Sequence, residues 1–126
     1  MILTPPAPRQ APPHQKFKRL IRSSDFTRAY RQGRRVTAHV ARIYYLPNQR
    51  AFSRLGVVVS KRVSKKATDR NWHKRVVREW CMQRSNISTI EHRDIVIMVI
   101  KAMPTTQHGS IELRRELALL SQQISI

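Results

Sequence analysis

The segment from Arg70 to Trp80 most constrains the fold, because its side chains divide between a cationic face and an apolar face at helical spacing. Successive residues of a helix turn by about 100°, so five polar side chains fall within an arc of about 140°. They are Arg70, Asn71, Lys74, Arg75 and Arg78. The opposite side holds Trp72, Val76, Val77 and Trp80. The pattern predicts a helix over residues 67–84 that buries this apolar side against a sheet.

The basic face allows two interpretations. Basic stretches are often solvated helix faces, yet like charges spaced i, i+4 weaken a helix, and phosphate binding would explain why they are kept. More cations come directly before the helix, after a strand that ends at Ser60: Lys61, Arg62, Lys65 and Lys66. Residues 54–84 contain ten basic side chains and two acidic ones. Such a concentration favours a nucleic-acid site over a surface that only aids solubility.

Basic residues also outnumber acidic ones in the chain as a whole. Its 126 residues suit one domain, and 25 Lys and Arg against seven Asp and Glu give a net charge of +18. A polyanion is the expected partner, either nucleic acid or an anionic membrane surface. The lone Cys81 excludes an intramolecular disulfide or a cysteine metal cluster and fits a reducing cytoplasm. The longest apolar run, Ile95 to Ile100, is too short to span a bilayer, so we expect a soluble cytoplasmic protein.

Residues 1–15 contain five of the seven prolines, which predicts a flexible tail ahead of a single domain over residues 16–126. A short helix is expected between an N-cap at Ser24 and a stop at Gly33, with Asp25 in its first turn. Ser110 is expected to cap a last helix whose core side chains are Leu113, Leu117 and Leu120.

Three strands are predicted between these helices. Val36 to Leu46 and Leu55 to Ser60 are expected to form a hairpin-like pair, and Ile95 to Ile100 is apolar enough to be central in the sheet. The order helix, strand, strand, helix, strand, helix predicts an α+β fold, a single-domain sandwich with helices packed on one sheet.

The remaining side chains that could bind a metal or take part in catalysis indicate no catalytic site. Histidines 14, 39, 73, 92 and 108 lack metal-ligand spacing and are expected at the surface, while Cys81 is expected to pack beside the apolar helix face. With few acids and no Ser-His-Asp set, a hydrolytic site on the protein is not expected. Phe26 and Tyr30 share a helix face, and Tyr44 and Tyr45 point to opposite sides of a strand. These rings either pack in the core or stack unpaired bases.

Several spaced motifs resemble the bacterial ribonuclease P protein family. Arg70-Asn71, Lys74-Arg75 and Arg78-Glu79 are similar to the family's signature helix, and Arg54 to Arg62 resembles the strand that leads into it. Further matches lie at Arg19-Leu20, at Asp25-Phe26 with Tyr30 and Gly33, at Ile43-Tyr44 and at Asp94 to Val99. The resemblance covers about residues 17–122.

The resemblance implies one central mixed sheet, with a left-handed βαβ crossover through the basic helix. It also implies a partner RNA that catalyses Mg²⁺-dependent removal of the 5′ leader from precursor tRNA, with no catalytic residue, metal site, organic cofactor or obligate protein partner on this chain. The residues expected to contact the catalytic RNA are Lys61, Arg62, Lys65, Lys66, Arg70, Asn71, Lys74, Arg75 and Arg78. Those expected to line the leader cleft are Phe17, Phe26, Tyr30 and Tyr44.

The chain departs from the family pattern at Trp72, where an Arg is usual, and at His73, which replaces an aliphatic residue. Trp72 lies at the margin of the apolar face, where it either packs on the sheet or stacks a base. A ribosomal-type RNA-binding protein is the alternative function. A DNA-binding recognition helix would need a short helix before it rather than a strand and a basic loop. A membrane-surface helix would need a free apolar face.

Overall fold

The computed structural model describes residues 17–83 and 92–124, which form a five-stranded sheet and three helices. The elements in chain order are β1 (Phe17–Arg19), α1 (Ser23–Gln32), β2 (Arg34–Thr37), β3 (Ala41–Pro47), β4 (Ser53–Val59), α2 (Ala67–Gln83), β5 (Arg93–Val99) and α3 (Gln107–Ile124).

The sheet is mixed and has the order β1-β4-β5-β3-β2. Strand β5 is central, parallel to β4 on one side and antiparallel to β3 on the other. Its residues Ile95, Val96 and Ile97 are all buried, because both faces of a central strand are covered. The prediction of one central mixed sheet is therefore confirmed. Strands β4 and β5 are parallel neighbours joined through α2, and the left hand of this crossover stays a prediction.

The predicted pairing of the first two long strands is wrong. β3 and β4 do not pair, because β5 lies between them. The single strand expected from Val36 to Leu46 is a hairpin, in which β2 and β3 pair antiparallel around residues 38–40. Strand β1, which pairs parallel with β4 at the sheet edge, was not expected. Local sequence marks these segments as extended but does not encode which distant segment each one pairs with.

The helices agree with the prediction more closely in their extent than in their caps. Helix α2 begins at the expected Ala67 and is described as far as Gln83, and the predicted end at Arg84 lies outside the described residues. Ser24 does not cap α1, which begins at Ser23 after an Arg22 that makes no side-chain cap bond. Ser110 does not cap α3 either. The Thr106 hydroxyl accepts a hydrogen bond from the Gly109 N–H at 3.1 Å, so the helix begins one turn earlier.

The two faces of the sheet are covered unequally. Helices α2 and α3 pack on one face, the two-helix face, where Val77, Leu113 and Leu117 meet Ile43 and Ile97 in the main core. Of the three described helices, only α1 packs on the opposite face, the one-helix face, where it forms a small cluster. This cluster consists of Leu20, Ala29, Tyr44 and Val96, with Phe26, Leu46, Val58 and Met98 partly buried against it. The described part of the chain therefore covers the one-helix face only in part.

Candidate RNA interface

A basic loop joins the end of β4 to the start of α2. Its four cations, Lys61, Arg62, Lys65 and Lys66, lie on the segment between Ser60 and Ala67, and most of that segment is solvent-exposed. The loop is held by Arg70 of α2, whose Nη1 donates hydrogen bonds to the carbonyls of Ser64 at 2.9 Å and Lys65 at 3.0 Å. Arg70 was expected to bind RNA, and the structure shows that it also orders the loop that presents the four cations.

Helix α2 presents the other expected residues on one side. Asn71 and Arg75 are exposed, while Lys74 and Arg78 are half-buried with their stems along the helix surface. The two acids of this helix are engaged elsewhere. Asp69 accepts a hydrogen bond from the Ser64 hydroxyl at 3.2 Å, and Glu79 forms an ion pair with Arg114 of α3 at 3.1 Å. Among the described residues, neither carboxylate forms an ion pair with a cation on this side of the helix.

Arg19 of β1 adds to this surface, and the sequence reasoning did not assign it a role. Partial burial, and then the neighbouring charge of Arg19, lower the pKa of Arg78 from its ordinary value. The guanidinium of Arg78 remains charged at physiological pH. We name the basic surface as Arg19 together with the loop and helix residues Lys61, Arg62, Lys65, Lys66, Arg70, Asn71, Lys74, Arg75 and Arg78.

The buried side of α2 differs from the expected one in a single position. His73, expected at the surface, is 1% exposed, whereas Trp72 is only partly buried at the margin of the main core. The His73 Nδ1 donates to the Asp69 carbonyl at 2.7 Å, and its Nε2 accepts from the Met103 N–H at 2.9 Å. The imidazole therefore joins α2 to the segment after β5. The expected burial of Cys81 beside this face is confirmed.

The aromatic residues of the one-helix face form a cleft between α1 and the sheet. Phe26 lies over Gly56 so closely that a Cβ added there would be 2.5 Å from the ring. The rings of Tyr30 and Tyr44 meet edge to face, with their centroids 4.9 Å apart. Burial, and then the proximity of Tyr44, raise the pKa of Tyr30, so its hydroxyl stays protonated. Tyr30 is 37% exposed and can offer its ring to a ligand.

Phe17 is not brought to this cleft. It pairs with Ser53 at the edge of the sheet and packs against the main core on the two-helix face. Because side chains alternate along a strand, Phe17 points away from the side on which Phe26, Tyr30 and Tyr44 come together.

The floor of the cleft continues beyond α1. Val58, Met98 and Arg42 lie side by side across β4, β5 and β3, and all three are half-buried. The next row along the strands is Gly56, Val96 and Tyr44, which α1 covers. The cleft is therefore an open groove with an apolar floor, aromatic side chains at one end and one arginine in its floor. Strand β4 passes from this floor directly into the basic loop.

A buried ion-pair network anchors α1 to the sheet, and the sequence reasoning missed it. Asp94 of β5 is fully buried and accepts from Arg54 Nε at 2.8 Å and Nη2 at 2.6 Å. Asn48 Nδ2 also donates to it at 2.9 Å, and Arg54 reaches Asp25 of α1 at 3.2 Å. Burial opposes ionisation of Asp94, but these hydrogen bonds and charges hold its pKa below the ordinary value. The sequence did contain a signal for this network: Arg54 and Asp94 carry opposite charges, and each is the second residue of an otherwise largely apolar strand.

Two further findings concern ligands. In the described ranges 17–83 and 92–124, no three His, Cys, Asp or Glu side chains come close enough together to hold a metal ion. Among the helices of those same ranges, none is long and apolar enough to cross a membrane. His39 and His108 are exposed as expected, His92 is half-buried, and His14 lies outside the described residues.

Comparison with known proteins identifies what the chain is similar to. The family model described as Ribonuclease P matches residues 15–125. The ribonuclease P protein component of Desulforapulum autotrophicum is 36% identical over 110 residues, which cover 86% of this chain and 90% of that protein. The corresponding protein of Syntrophobacter fumaroxidans is 36% identical over 107 residues, covering 83% of each.

Solved structures agree with these sequence matches. The RNase P protein of Staphylococcus aureus superimposes with a TM-score of 0.74 at 26% identity, covering 88% of this chain and 98% of that one. The RNase P protein of Thermotoga maritima has a TM-score of 0.64 at 27% identity, covering 83% and 96%. The arrangement of sheet and helices is thus shared with proteins of known structure.

Proposed function

The chain belongs to the family of the bacterial ribonuclease P protein component, and from this premise we propose how it acts as the protein subunit of that enzyme. Its basic surface binds the catalytic RNA, and its aromatic cleft binds the 5′ leader of precursor tRNA. The complex then removes the leader by Mg²⁺-dependent cleavage, which matures the 5′ end of the tRNA.

The observation that supports this proposal best is the continuity of the two surfaces. Strand β4 contributes Gly56 and Val58 to the cleft and then leads into the loop that begins at Lys61. A single-stranded RNA in the cleft would therefore end beside a folded RNA held on the basic surface. Cations bind a folded RNA through its phosphates, whereas rings bind an extended strand with little sequence preference.

In this proposal the chemistry belongs to the RNA. The protein raises substrate affinity through the leader and lowers the repulsion between two polyanions, which supports Mg²⁺ binding by the RNA. The ion is held by the partner RNA, and this chain contributes no ligand to it. No organic cofactor, membrane or obligate protein partner is needed, and the site of action is the cytoplasm, where tRNA precursors are made.

Reconstitution tests the proposal. Purified protein is mixed with a bacterial ribonuclease P RNA and a precursor tRNA, at a low Mg²⁺ concentration where the RNA alone is nearly inactive. We expect cleavage at the mature 5′ end only when the protein is present. Arg115→Ala, which removes an exposed cation from α3 on the two-helix face, is the matched control and should stimulate cleavage like the unmodified chain.

A folded protein that binds RNA without stimulating cleavage would contradict the proposal and favour a ribosomal-type RNA-binding protein. Family membership favours the ribonuclease P role over a ribosomal one. The structure supports neither a DNA-binding helix nor a membrane-surface helix. Helix α2 follows a strand and a loop rather than the short helix of a DNA-binding motif, and its apolar side, with Val76, Val77 and Trp80, is buried on the sheet.

A further inference from the structure

We propose that Arg42 binds a backbone phosphate of the RNA strand in the cleft, next to the base that stacks against Tyr30. The inference rests on the proposed function, because it adds one specific contact to the leader site. It concerns an arginine that neither the charge pattern nor the family resemblance singled out.

Arg42 lies where α1 no longer covers the sheet. It is in β3, two residues before Tyr44 and on the same face, and it lies opposite Met98 of β5. Residues i and i+2 of a strand are roughly 7 Å apart. Tyr44 is buried, and its ring centroid is 4.9 Å from that of the more exposed Tyr30. A base against the Tyr30 ring can therefore have its neighbouring phosphate near the Arg42 guanidinium.

No described residue balances the charge of Arg42. Its Nη1 donates to the Tyr44 hydroxyl at 3.2 Å, and its Nε is buried with no hydrogen-bond acceptor. Among the described residues, no carboxylate forms an ion pair with Arg42. The nearby acids of the one-helix face, Asp25 and Asp94, are bound to Arg54 and Arg28 instead.

Arg54 lies on the same face, and its charge is balanced by carboxylates. It is similarly enclosed, and its guanidinium forms a bidentate pair with the Asp94 carboxylate. A partly desolvated cation without such a partner weakens the folded state. A phosphate would supply the missing countercharge, because its oxygens match the forked geometry of a guanidinium. Arg42 therefore has the properties of a binding residue rather than a stabilising one.

The first test combines a substitution with neutralisation of single phosphates. A set of precursor tRNAs carries one uncharged methylphosphonate at each successive leader linkage. Binding to the holoenzyme is measured with the unmodified protein and with Arg42→Met, which keeps the side-chain length and removes the charge. With the unmodified protein we expect one linkage at which the methylphosphonate weakens binding by roughly tenfold, the effect of one charge-assisted hydrogen-bonded contact. With Arg42→Met that linkage should lose its effect, and mature tRNA should bind both proteins equally.

The second test separates binding from structure. If Arg42 serves a ligand, the melting temperature of free Arg42→Met should equal or exceed that of the unmodified protein. A lower melting temperature would mean that Arg42 stabilises the fold and would overturn the proposal. Arg50→Met is the matched control, since it removes an exposed arginine from the β3–β4 loop and should leave the methylphosphonate profile unchanged.

The outcomes distinguish this inference from the function on which it rests. If the unmodified holoenzyme binds precursor and mature tRNA equally, the leader role of the cleft fails, and the Arg42 contact fails with it. If the unmodified holoenzyme prefers precursor tRNA but Arg42→Met gives the same methylphosphonate profile, only the Arg42 contact is overturned.

Discussion

At the scale of single residues, two arginines on one sheet face have opposite surroundings. Arg54 is held by Asp94 and Asp25, which positions α1 above the sheet. Within the described ranges, the hydrogen-bond partner of the Arg42 guanidinium is the Tyr44 hydroxyl. Their local sequences do not reveal this difference, because each is one basic residue within an otherwise apolar strand. The difference arises from the register, which brings Arg54 beside Asp94 and Arg42 beside Met98.

Asp94→Asn should reduce the free energy of unfolding by about 3–5 kcal/mol, because it removes the bidentate charge partner of the largely buried Arg54 guanidinium and leaves it only the single pair with Asp25. Urea denaturation monitored by circular dichroism measures this change. Glu112→Gln, which breaks the exposed pair with Arg115, is the control and should cost less than about 1 kcal/mol. Equal losses in the two variants would mean that the buried network does not stabilise the fold.

The same carboxylate predicts a dependence on pH. The folded state holds the pKa of Asp94 below its ordinary value of 3.8, so its contribution to stability is complete above that pH and is lost as the pH falls through the lower folded pKa. Unfolding free energies measured through this acidic range should fall more steeply for the unmodified protein than for Asp94→Asn. If the unfolding free energies of the two proteins fell equally with decreasing pH, the Asp94 carboxylate would not be the source of the pH dependence.

At the scale of elements, α2 has separate tasks on its two sides. Its buried side joins the sheet through Val76, Val77 and Trp80 and joins the segment after β5 through His73. Its exposed side presents cations beside a loop that Arg70 orders. The like charges weaken the isolated helix, and packing of the buried side offsets that loss. The helix can therefore keep a cationic surface available for phosphates.

Lys74→Ala should flatten the salt dependence of binding to the catalytic RNA, lowering the slope of log K against log salt by about one unit for the lost phosphate contact. Filter binding across a range of monovalent salt concentrations gives this slope. Arg115→Ala removes the same charge from α3 and should leave the slope unchanged. A slope that does not differ between Lys74→Ala and the unmodified protein would remove Lys74 from the interface.

At the scale of the whole molecule, one sheet separates two environments. The two-helix face contains the main core, and the one-helix face holds the smaller cluster beside the cleft. The net charge of +18 belongs to the chain as a whole and repels itself in the free protein. The molecule is thus least stable alone and is stabilised by a polyanion that binds the folded state.

The free protein should therefore melt at a higher temperature as salt screens its charges. Between about 0.02 and about 0.2 M NaCl we expect a rise on the order of 5 °C, corresponding to about 1 kcal/mol. Scanning calorimetry or circular dichroism measures the midpoint. A variant with Lys61, Lys65 and Lys66 all changed to Gln should show a smaller rise. A melting temperature that falls or stays constant with salt would contradict this account.

The sequence by itself determined the segments, the cationic helix side and the family. Helical and strand periodicity are local properties, so the start of α2 at Ala67 was predicted correctly and the apolar run around Val96 was correctly expected at the centre of the sheet. The cations of α2 and the motifs around Asp25, Tyr30 and Tyr44 appear directly in the order of residues. These features need no knowledge of distant contacts.

Only the tertiary structure decided the strand order, the true partners of the charges and the members of the cleft. The insertion of β5 between β3 and β4, the burial of His73 and the turning of Phe17 to the other sheet face depend on contacts between residues far apart in sequence. Asp94 and Arg42 likewise gained their surroundings from strand register. Pairing of distant strands is chosen by the packing of the whole core, and a local pattern of side chains does not specify it.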